Sequence, residues 1–175
     1  GYRHGIPQIP NKNATIHPLI FDCRKVLPEV PLYMHFHDGL GSGHVKRFLL
    51  YDFRRQQGNR QGTDSNKDDI EYQSVREYSQ QIVAPAIYQV LQEAVTEHGY
   101  GYAQPLRLHM YIGSTWGRHR SVVAVEQTAA AMRTLLRQGD ADTVWTCPCS
   151  VAPQHLHISR IPPPPSGKFR NEDED

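Results

Sequence analysis

Residues 106–138 read L-R-L-H-M-Y-I-G-S-T-W-G-R-H-R-S-V-V-A-V-E-Q-T-A-A-A-M-R-T-L-L-R-Q, and this stretch decides the fold that the sequence predicts. Leu106–Ile112 is a short apolar run, which predicts a β-strand. Apolar residues recur with helical spacing in Ser121–Gln138, which predicts an amphipathic helix. The apolar face of that helix comprises Val122, Val125, Ala129, Met132 and Leu136. A strand that leads through a loop into a helix is the repeating unit of an α/β fold.

Further strands and helices are predicted on both sides of this stretch. His17–Val26 is apolar and predicts a first strand, and Thr143–Cys147 predicts a later one. His44–Arg55 predicts a short helix, whereas the apolar period of Ile70–His98 predicts a long helical region with a kink at Pro85. Because strands alternate with helices, we expect an α/β domain with a mixed or mostly parallel sheet flanked by helices.

The bulk properties favour one domain that acts in a reducing compartment. The chain has 175 residues, and we place the domain at residues 1–161. Residues 54–69 are poor in apolar side chains and predict a mobile loop, while the Pro-rich, acidic residues 162–175 predict a disordered tail. The net charge of +1 gives no general attraction to nucleic acid. Three cysteines without a framework spacing favour free thiols and a cytoplasmic protein, and no apolar run is long enough to span a membrane.

The loop Gly113–Ser121 has the composition of an anion-binding site. A helix N-terminus presents free N–H groups and a partial positive charge, and two glycines permit a tight path of the backbone around an anion. Arginine guanidinium groups can grip a phosphate through paired hydrogen bonds. The candidate phosphate-binding residues are Ser114, Thr115, Trp116, Gly117, Arg118, His119, Arg120 and Ser121. The alternative is an ordinary strand-to-helix turn whose charged side chains are solvated.

The spacing from Ser114 to Arg120 also matches the C-x5-R loop of cysteine phosphatases, with serine at the position of the nucleophilic cysteine. A phosphate-binding loop can lower the pKa of a thiol into the working range. A serine hydroxyl is a far weaker nucleophile and requires a neighbouring base. The loop therefore favours binding over cleavage, and an enzyme is kept as the alternative.

Several segments resemble the C-terminal domain of the RapZ family of RNase adapter proteins, in the same order along the chain. The segment G-S-T-W-G-R-H-R-S-V, residues 113–122, resembles the family's G-C-T-G-G-[KQ]-H-R-S-V. Residues 20–28, I-F-D-C-R-K-V-L-P, resemble its V-F-D-V-R-x-L-P. Residues 1–7, G-Y-R-H-G-I-P, and residues 38–45, D-G-L-G-S-G-H-V, are similar to two further motifs of the family, as is the helix after the loop.

The resemblance implies an α/β domain that binds glucosamine-6-phosphate, forms homo-oligomers and, in that family, presents small RNAs to a ribonuclease. It implies that Ser114 to Arg120 hold the phosphate and that Asp22, Arg24 and His4 lie near the sugar. The chain departs from the family at Ser114, Trp116 and Arg118, and Trp116 could narrow the pocket or stack on a sugar. The acidic tail disfavours RNA binding, because it would repel phosphates.

Other residues each allow two interpretations. C-P-C at 147–149 with H-L-H at 155–157 could supply zinc ligands, but the spacing is unusual and a strand with both histidines on one face is preferred. One of these histidines could instead line the pocket. H-F-H-D at 35–38 could supply a base from a flexible rim, and the basic cluster at 46–55 fits a solvated helix face better than an RNA contact. Asp22 is equally compatible with a ligand contact and with a helix cap or a salt bridge to Arg24.

The sequence thus predicts a phosphosugar-binding, sensing domain without metal or cofactor, in which ligand binding alters oligomer or protein-partner contacts. The first alternative is a phosphatase-like or phosphosugar-processing enzyme. The second is an RNA-binding adapter, whose binding would weaken steeply with salt and with loss of the basic cluster.

Overall fold

The structure is a computed structural model that describes residues 18–27, 29–52, 74–98, 107–138 and 150–158. These residues contain two strands, five α-helices, one 3₁₀ turn and two π-helical segments. In chain order the elements are β1 (Leu19–Asp22), α1 (Cys23–Val26), a 3₁₀ turn (Leu32–Met34), α2 (Gly43–Arg47), a π-helical segment (Phe48–Asp52), α3 (Val75–Tyr78), a second π-helical segment (Ser79–Val83), α4 (Ala84–His98), β2 (Met110–Gly113) and α5 (Arg120–Gln138).

The two strands pair in parallel, so the described residues form a small α/β arrangement. Leu19 lies opposite Met110, and Asp22 lies opposite Gly113. The carboxyl ends of both strands therefore meet at one edge of the sheet. The chain leaves this edge into α1 after β1 and into the candidate loop after β2. This edge is where ligands bind in open α/β sheets.

The predicted first strand, His17–Val26, is too long. The strand ends at Asp22, because the Asp22 carboxylate accepts a hydrogen bond from the backbone N–H of Arg24 at 2.9 Å and caps the helical turn α1. The strand predicted at Leu106–Ile112 is shorter as well and begins at Met110. Buried apolar residues occur in short strands and in helical turns alike, so hydrophobicity alone does not separate them.

The long helical region is confirmed within the described residues, and its irregularity lies where proline predicts it. Ser74 caps α3, since its hydroxyl accepts a hydrogen bond from the N–H of Glu77 at 3.1 Å. The π-helical segment that follows ends directly before α4, which has Pro85 as its second residue. Proline cannot donate to the preceding turn, and its ring would clash with the carbonyl of Gln81 in a regular α-helix. The widened π turn is the local response to that constraint.

The hydrophobic core lies between α5 and the helical region 75–98 and continues beneath α1 and α2. The buried face of α5 packs on α3, the second π-helical segment and α4. The fully buried side chains include Cys23, Leu27, Val45, Leu49, Val75, Val83, Val122, Val123 and Thr128. Anchored in this way, α5 holds its N-terminus at the carboxyl edge of the two strands.

The strand predicted around His155–His157 is wrong, because Leu156–Ile158 form a turn. The strand at Thr143–Cys147, the loop at 54–69, the tail at 162–175 and His4 lie outside the described residues. None of the described helices is long and apolar enough to cross a membrane.

Candidate functional site

The loop between β2 and α5 turns sharply at Gly117. This residue has φ of 73°, in the left-handed region, where a side chain costs about 1–2 kcal/mol. The Gly117 N–H donates a hydrogen bond to the Ser114 hydroxyl oxygen at 3.2 Å. The turn thereby folds back on the start of the loop and carries the chain directly into α5.

Ser114 closes the loop from inside. Its side-chain hydroxyl donates a hydrogen bond to the hydroxyl oxygen of Ser121 at 3.0 Å, across the base of the loop. Ser114 is only 4% exposed, and Ser121 is buried as well. Together with the bond from Gly117, these contacts join the loop's first residue, its turn and the first turn of the helix.

The N-terminus of α5 leaves backbone N–H groups unpaired within the helix. The carbonyl of His119 accepts the first helical bond, from the N–H of Val123 at 3.0 Å. The N–H groups of Arg120, Ser121 and Val122 consequently have no acceptor within the helix. In a helix of 19 residues these groups lie at the positive end of the macrodipole.

A pocket of about 250 Å³ lies at this helix start. Its lining residues are Glu29, Val30, His35, Ser114, Thr115, Trp116, His119 and Arg120. Five of these belong to the loop that the sequence singled out, and His35 comes from the predicted rim. Sequence reasoning missed Glu29 and Val30, although they directly follow the F-D-C-R-K-V-L-P segment, which returns the chain to the site.

Arg120 connects the pocket to the β1–α1 region. One terminal nitrogen, NH1, donates to the carbonyls of Arg24 at 3.1 Å and Leu27 at 2.9 Å. The other, NH2, donates to the Glu29 carboxylate at 3.1 Å. Arg120 was predicted to grip phosphate, but most of its buried guanidinium holds main-chain carbonyls. The nitrogen NH2 pairs with the solvent-exposed carboxylate of Glu29, and a ligand can share this nitrogen.

Arg118 is a buried cation whose Nε has no hydrogen-bond acceptor among the described residues. Its exposed fraction is 8%. Its carbonyl accepts a hydrogen bond from the Gly39 N–H at 2.7 Å, which fastens the loop to the chain at residue 39. A Cβ on Gly39 would approach the carbonyl oxygen of His119 to 2.8 Å, so only glycine permits this contact. Arg118 is not among the residues that line the pocket, but its charge adds to the positive field around the loop.

Two histidine rings border the pocket, with centroids 5.7 Å apart. His119 Nε2 donates to the carbonyl of His37 at 2.7 Å, and His35 Nε2 donates to the carbonyl of Val30 at 3.0 Å. Burial lowers the pKa of His119, and the nearby His35 and Arg118 charges lower it further. His119 is thus a neutral ring near pH 7.

Asp38, the last residue of H-F-H-D, serves the turn rather than the pocket. The Asp38 carboxylate accepts hydrogen bonds from the backbone N–H groups of Leu40, at 2.8 Å, and Gly41. These bonds, with that from Gly41 the strongest influence, lower the pKa of Asp38. The predicted role of this segment as a source of a base therefore narrows to His35.

Asp22 and Arg24 pair with each other at the edge of the sheet. The Arg24 side chain donates to both carboxylate oxygens of Asp22, at 2.6–3.0 Å. Partial burial by itself would raise the pKa of Asp22, but the bonds from Arg24 prevail and lower it. Neither side chain is among the pocket-lining residues, so the geometry matches the interpretation of Asp22 as a cap and ion-pair partner. His4, the third residue expected near the sugar, lies outside the described residues.

The zinc hypothesis receives no ligand cluster from the described residues. No group of three or more potential ligands occurs among them. His155 Nε2 instead contacts the Glu126 carboxylate at 2.7 Å on the side of α5, and it does not line the pocket. Cys147 and Cys149 lie outside the described residues.

No protein-family model matches the chain, and no curated protein or solved structure matches it either. What the pocket can bind follows from its atoms. It combines helix N–H groups that have no acceptor within the helix, hydroxyls, a partly available guanidinium and an aromatic ring. Ser114 and His119 border the same pocket, but the Ser114 hydroxyl bonds Ser121 while His119 Nε2 bonds a carbonyl, so this pair does not form a nucleophile and base.

Proposed function

We propose that this chain binds a phosphorylated sugar in the pocket at the start of α5 and acts as a sensor rather than as an enzyme. One observation carries the proposal. Helix N–H groups without an intrahelical acceptor meet a pocket lined by Ser114, Thr115 and Arg120, beside the buried cation Arg118. A phosphate is the common biological anion that such an arrangement suits best.

The size and lining of the pocket support a ligand of about one sugar ring. Its 250 Å³ lies slightly below the ~300–1,000 Å³ typical of sites for drug-sized molecules. Trp116 contributes an aromatic side chain to the lining, and Thr115 contributes a hydroxyl. The resemblance to the RapZ C-terminal domain supports glucosamine-6-phosphate as the specific ligand.

The wider proposal follows the same resemblance. The sheet would be mixed or mostly parallel and larger than the two described strands, and the protein would be cytoplasmic and homo-oligomeric. Ligand binding would alter its contacts with another copy or a protein partner. RNA is a weaker candidate. Lys46 and Arg47 of the basic cluster lie on the short helix α2, which fits a solvated helix face, and the acidic tail would repel the phosphates of RNA.

The hydrogen bonds of Ser114 support binding without cleavage. Its oxygen accepts from Gly117 and its hydrogen points to Ser121, so the hydroxyl has a structural role in the loop. A phosphate could contact the loop without any transfer of a proton to a base.

The proposal is tested by melting the full chain with glucosamine-6-phosphate, glucose-6-phosphate, glucosamine and inorganic phosphate. A ligand at one hundred times its Kd adds about 2.7 kcal/mol to the free energy of unfolding. For a chain of 175 residues this raises Tm by roughly 5–11 °C. We expect the sugar phosphates to raise Tm and free glucosamine to leave it unchanged.

Thr115→Glu locates the binding site, because it introduces a carboxylate into the lining of the pocket. The matched control is Thr134→Glu, at an exposed residue of α5. We expect the ligand-induced shift to disappear in the first variant and to persist in the second. An equal shift in both variants, or no shift of the parent protein with any sugar phosphate, would contradict the proposal.

A further inference from the structure

Residues 150–158 lie against α5 and approach the end of the helix that borders the pocket. Arg133 NH2 donates a hydrogen bond to the Val151 carbonyl at 2.8 Å. Four residues later, His155 Nε2 contacts the Glu126 carboxylate at 2.7 Å. Arg133 and Glu126 are two turns apart on one face of α5, so this segment follows the helix toward its N-terminus for about 10 Å.

The contact at His155 is partly buried, which fixes the path of the segment. The His155 side chain is 11% exposed, and Val151 packs against the hydrophobic core. Along the helix axis, Glu126 lies about 9 Å from Arg120, which lines the pocket. The chain beyond residue 158 therefore starts near the pocket and not at the far end of α5.

That part of the chain carries a run of four carboxylates, residues 172–175, with the sequence E-D-E-D. The preceding charged residues, Lys168 and Arg170, are cationic, so the acidic character is confined to this run. Residues 159–171 separate the run from Ile158, and a chain of this length can span up to about 45 Å. The tether is long enough for the acidic run to reach the pocket.

The pocket and the acidic run have complementary charges. Carboxylates are favoured at a helix N-terminus, where they accept hydrogen bonds from N–H groups that have no acceptor within the helix. Arg120 NH2 offers a further donor, and Arg118 adds a buried cation whose Nε has no acceptor among the described residues. A carboxylate uses the same donors as a phosphate but carries less charge, so it is a weaker ligand of the same site.

We propose that the acidic run 172–175 occupies the pocket at the start of α5 in the absence of ligand, so that the chain inhibits its own binding of phosphorylated ligands. This inference rests on the proposed function, because run and ligand would compete for the same donors. A tethered group competes at an effective concentration in the millimolar range, so even weak binding by the run matters. We expect its removal to tighten ligand binding by about two- to tenfold.

The experiment compares the parent with a full-length variant in which the run is neutral, by calorimetric titration with glucosamine-6-phosphate at low salt. The variant combines Glu172→Gln, Asp173→Asn, Glu174→Gln and Asp175→Asn. It should bind the ligand more tightly than the parent does. In about 1 M salt, where the Debye length is about 3 Å, the difference between the two proteins should shrink.

A control variant separates occupancy of the pocket from a general effect of net charge. Glu93→Gln combined with Glu97→Gln removes two exposed carboxylates of α4 and should leave the affinity of the parent unchanged. A synthetic peptide of residues 166–175, added to the variant with the neutral run, should weaken ligand binding, whereas a peptide with the four neutral replacements should not. Simple repulsion between the run and the ligand would give no effect of either peptide.

The possible failures are distinguishable. Equal affinities of the parent and the variant with the neutral run, or no competition by the acidic peptide, would overturn this inference and leave the proposed function intact. If neither protein binds glucosamine-6-phosphate, the proposed function fails and this inference fails with it.

Discussion

Arg120 is the residue that couples the pocket to the folded core. Its guanidinium is buried and donates to two carbonyls of the β1–α1 region and to the carboxylate of Glu29. The planar fork of arginine reaches these acceptors together, whereas the ammonium of lysine is a single point. Since the two carbonyls lie more than ninety residues away along the chain, this side chain fixes a long-range contact.

Arg120→Lys should lower the free energy of unfolding by about 2–3 kcal/mol, because buried carbonyls lose a charged donor. Urea denaturation of the parent and the variant measures this difference. The matched control is Arg137→Lys, at an exposed residue near the end of α5, which should change stability by less than about 0.5 kcal/mol. Equal effects of the two substitutions would contradict the role assigned to Arg120.

His119 predicts a pH dependence of stability with a definite sign. Its pKa in the folded protein lies below the ordinary 6.5, first because of burial and then because of the charges of His35 and Arg118. Between these two pKa values the unfolded chain binds the proton and the folded chain does not. Stability is therefore fully present above pH 6.5 and is lost as pH falls through the folded pKa.

Denaturation at several pH values between 5 and 8 checks this prediction. His119→Gln should flatten the decline in stability below pH 6.5, and His44→Gln, at an exposed residue of α2, is the control. The pKa values of Asp22 and Asp38 are lowered from 3.8, so their stabilisation is lost only in more acidic solution. An undiminished decline in His119→Gln would contradict the assignment to His119.

At the scale of elements, the contact between α5 and the second π-helical segment contains polar groups in an apolar setting. Ser79 and Thr128 are both 0% exposed. The Ser79 hydroxyl donates to the carbonyl of Ala124 at 3.3 Å, whereas the Thr128 hydroxyl has no partner among the residues that the structure describes. One buried hydroxyl with an acceptor and one without should thus affect stability in opposite directions.

Thr128→Val should leave the free energy of unfolding unchanged or raise it by up to about 1 kcal/mol, because it removes an unpaired buried hydroxyl and preserves the branched shape. Ser79→Ala should lower it by about 1 kcal/mol, since it removes a buried hydrogen bond. Thermal and urea unfolding of both variants measure the contrast. A larger loss in Thr128→Val than in Ser79→Ala would indicate that the threonine hydroxyl does have a partner.

The sequence predicts best the elements in which the apolar pattern continues over many residues. The helix predicted at Ser121–Gln138 differs from α5 by one residue, because many turns contribute to its apolar pattern. The sequence predicts a first strand that extends to Val26, because a buried cysteine such as Cys23 fits a strand and a helical turn equally well. The aspartate that ends the strand was visible in the sequence, but its function as a cap depended on a geometry that periodicity does not contain.

At the scale of the whole molecule, the site and the core meet at the β1–α1 junction. The loop residues of the pocket were predictable from glycine, serine and arginine at a helix start. Glu29 was not, because it reaches the pocket only through the path of the chain after α1. The role of Arg120 was also hidden, since the carbonyls that it binds carry no side-chain signature in a sequence.

The reactivity of the Cys23 thiol measures how often this junction opens. Cys23 is fully buried and lies next to Arg24, whose carbonyl accepts a hydrogen bond from Arg120. Burial raises the pKa of its thiol to about 12, so it should react with a thiol reagent only when the structure opens. In a Cys147→Ser, Cys149→Ser background, labelling at pH 8 should be slower than in denaturant by about a thousandfold or more if opening is global.

The same measurement distinguishes global from local opening of the site. If Cys23 is exposed only by global unfolding, Arg120→Lys should accelerate labelling in proportion to its loss of stability, and added urea should accelerate it further. A saturating sugar phosphate should slow labelling by the factor by which it stabilises the fold. Fast labelling that is independent of urea would instead mean that the β1–α1 junction opens on its own, and the pocket would then lack the rigid support that its geometry requires.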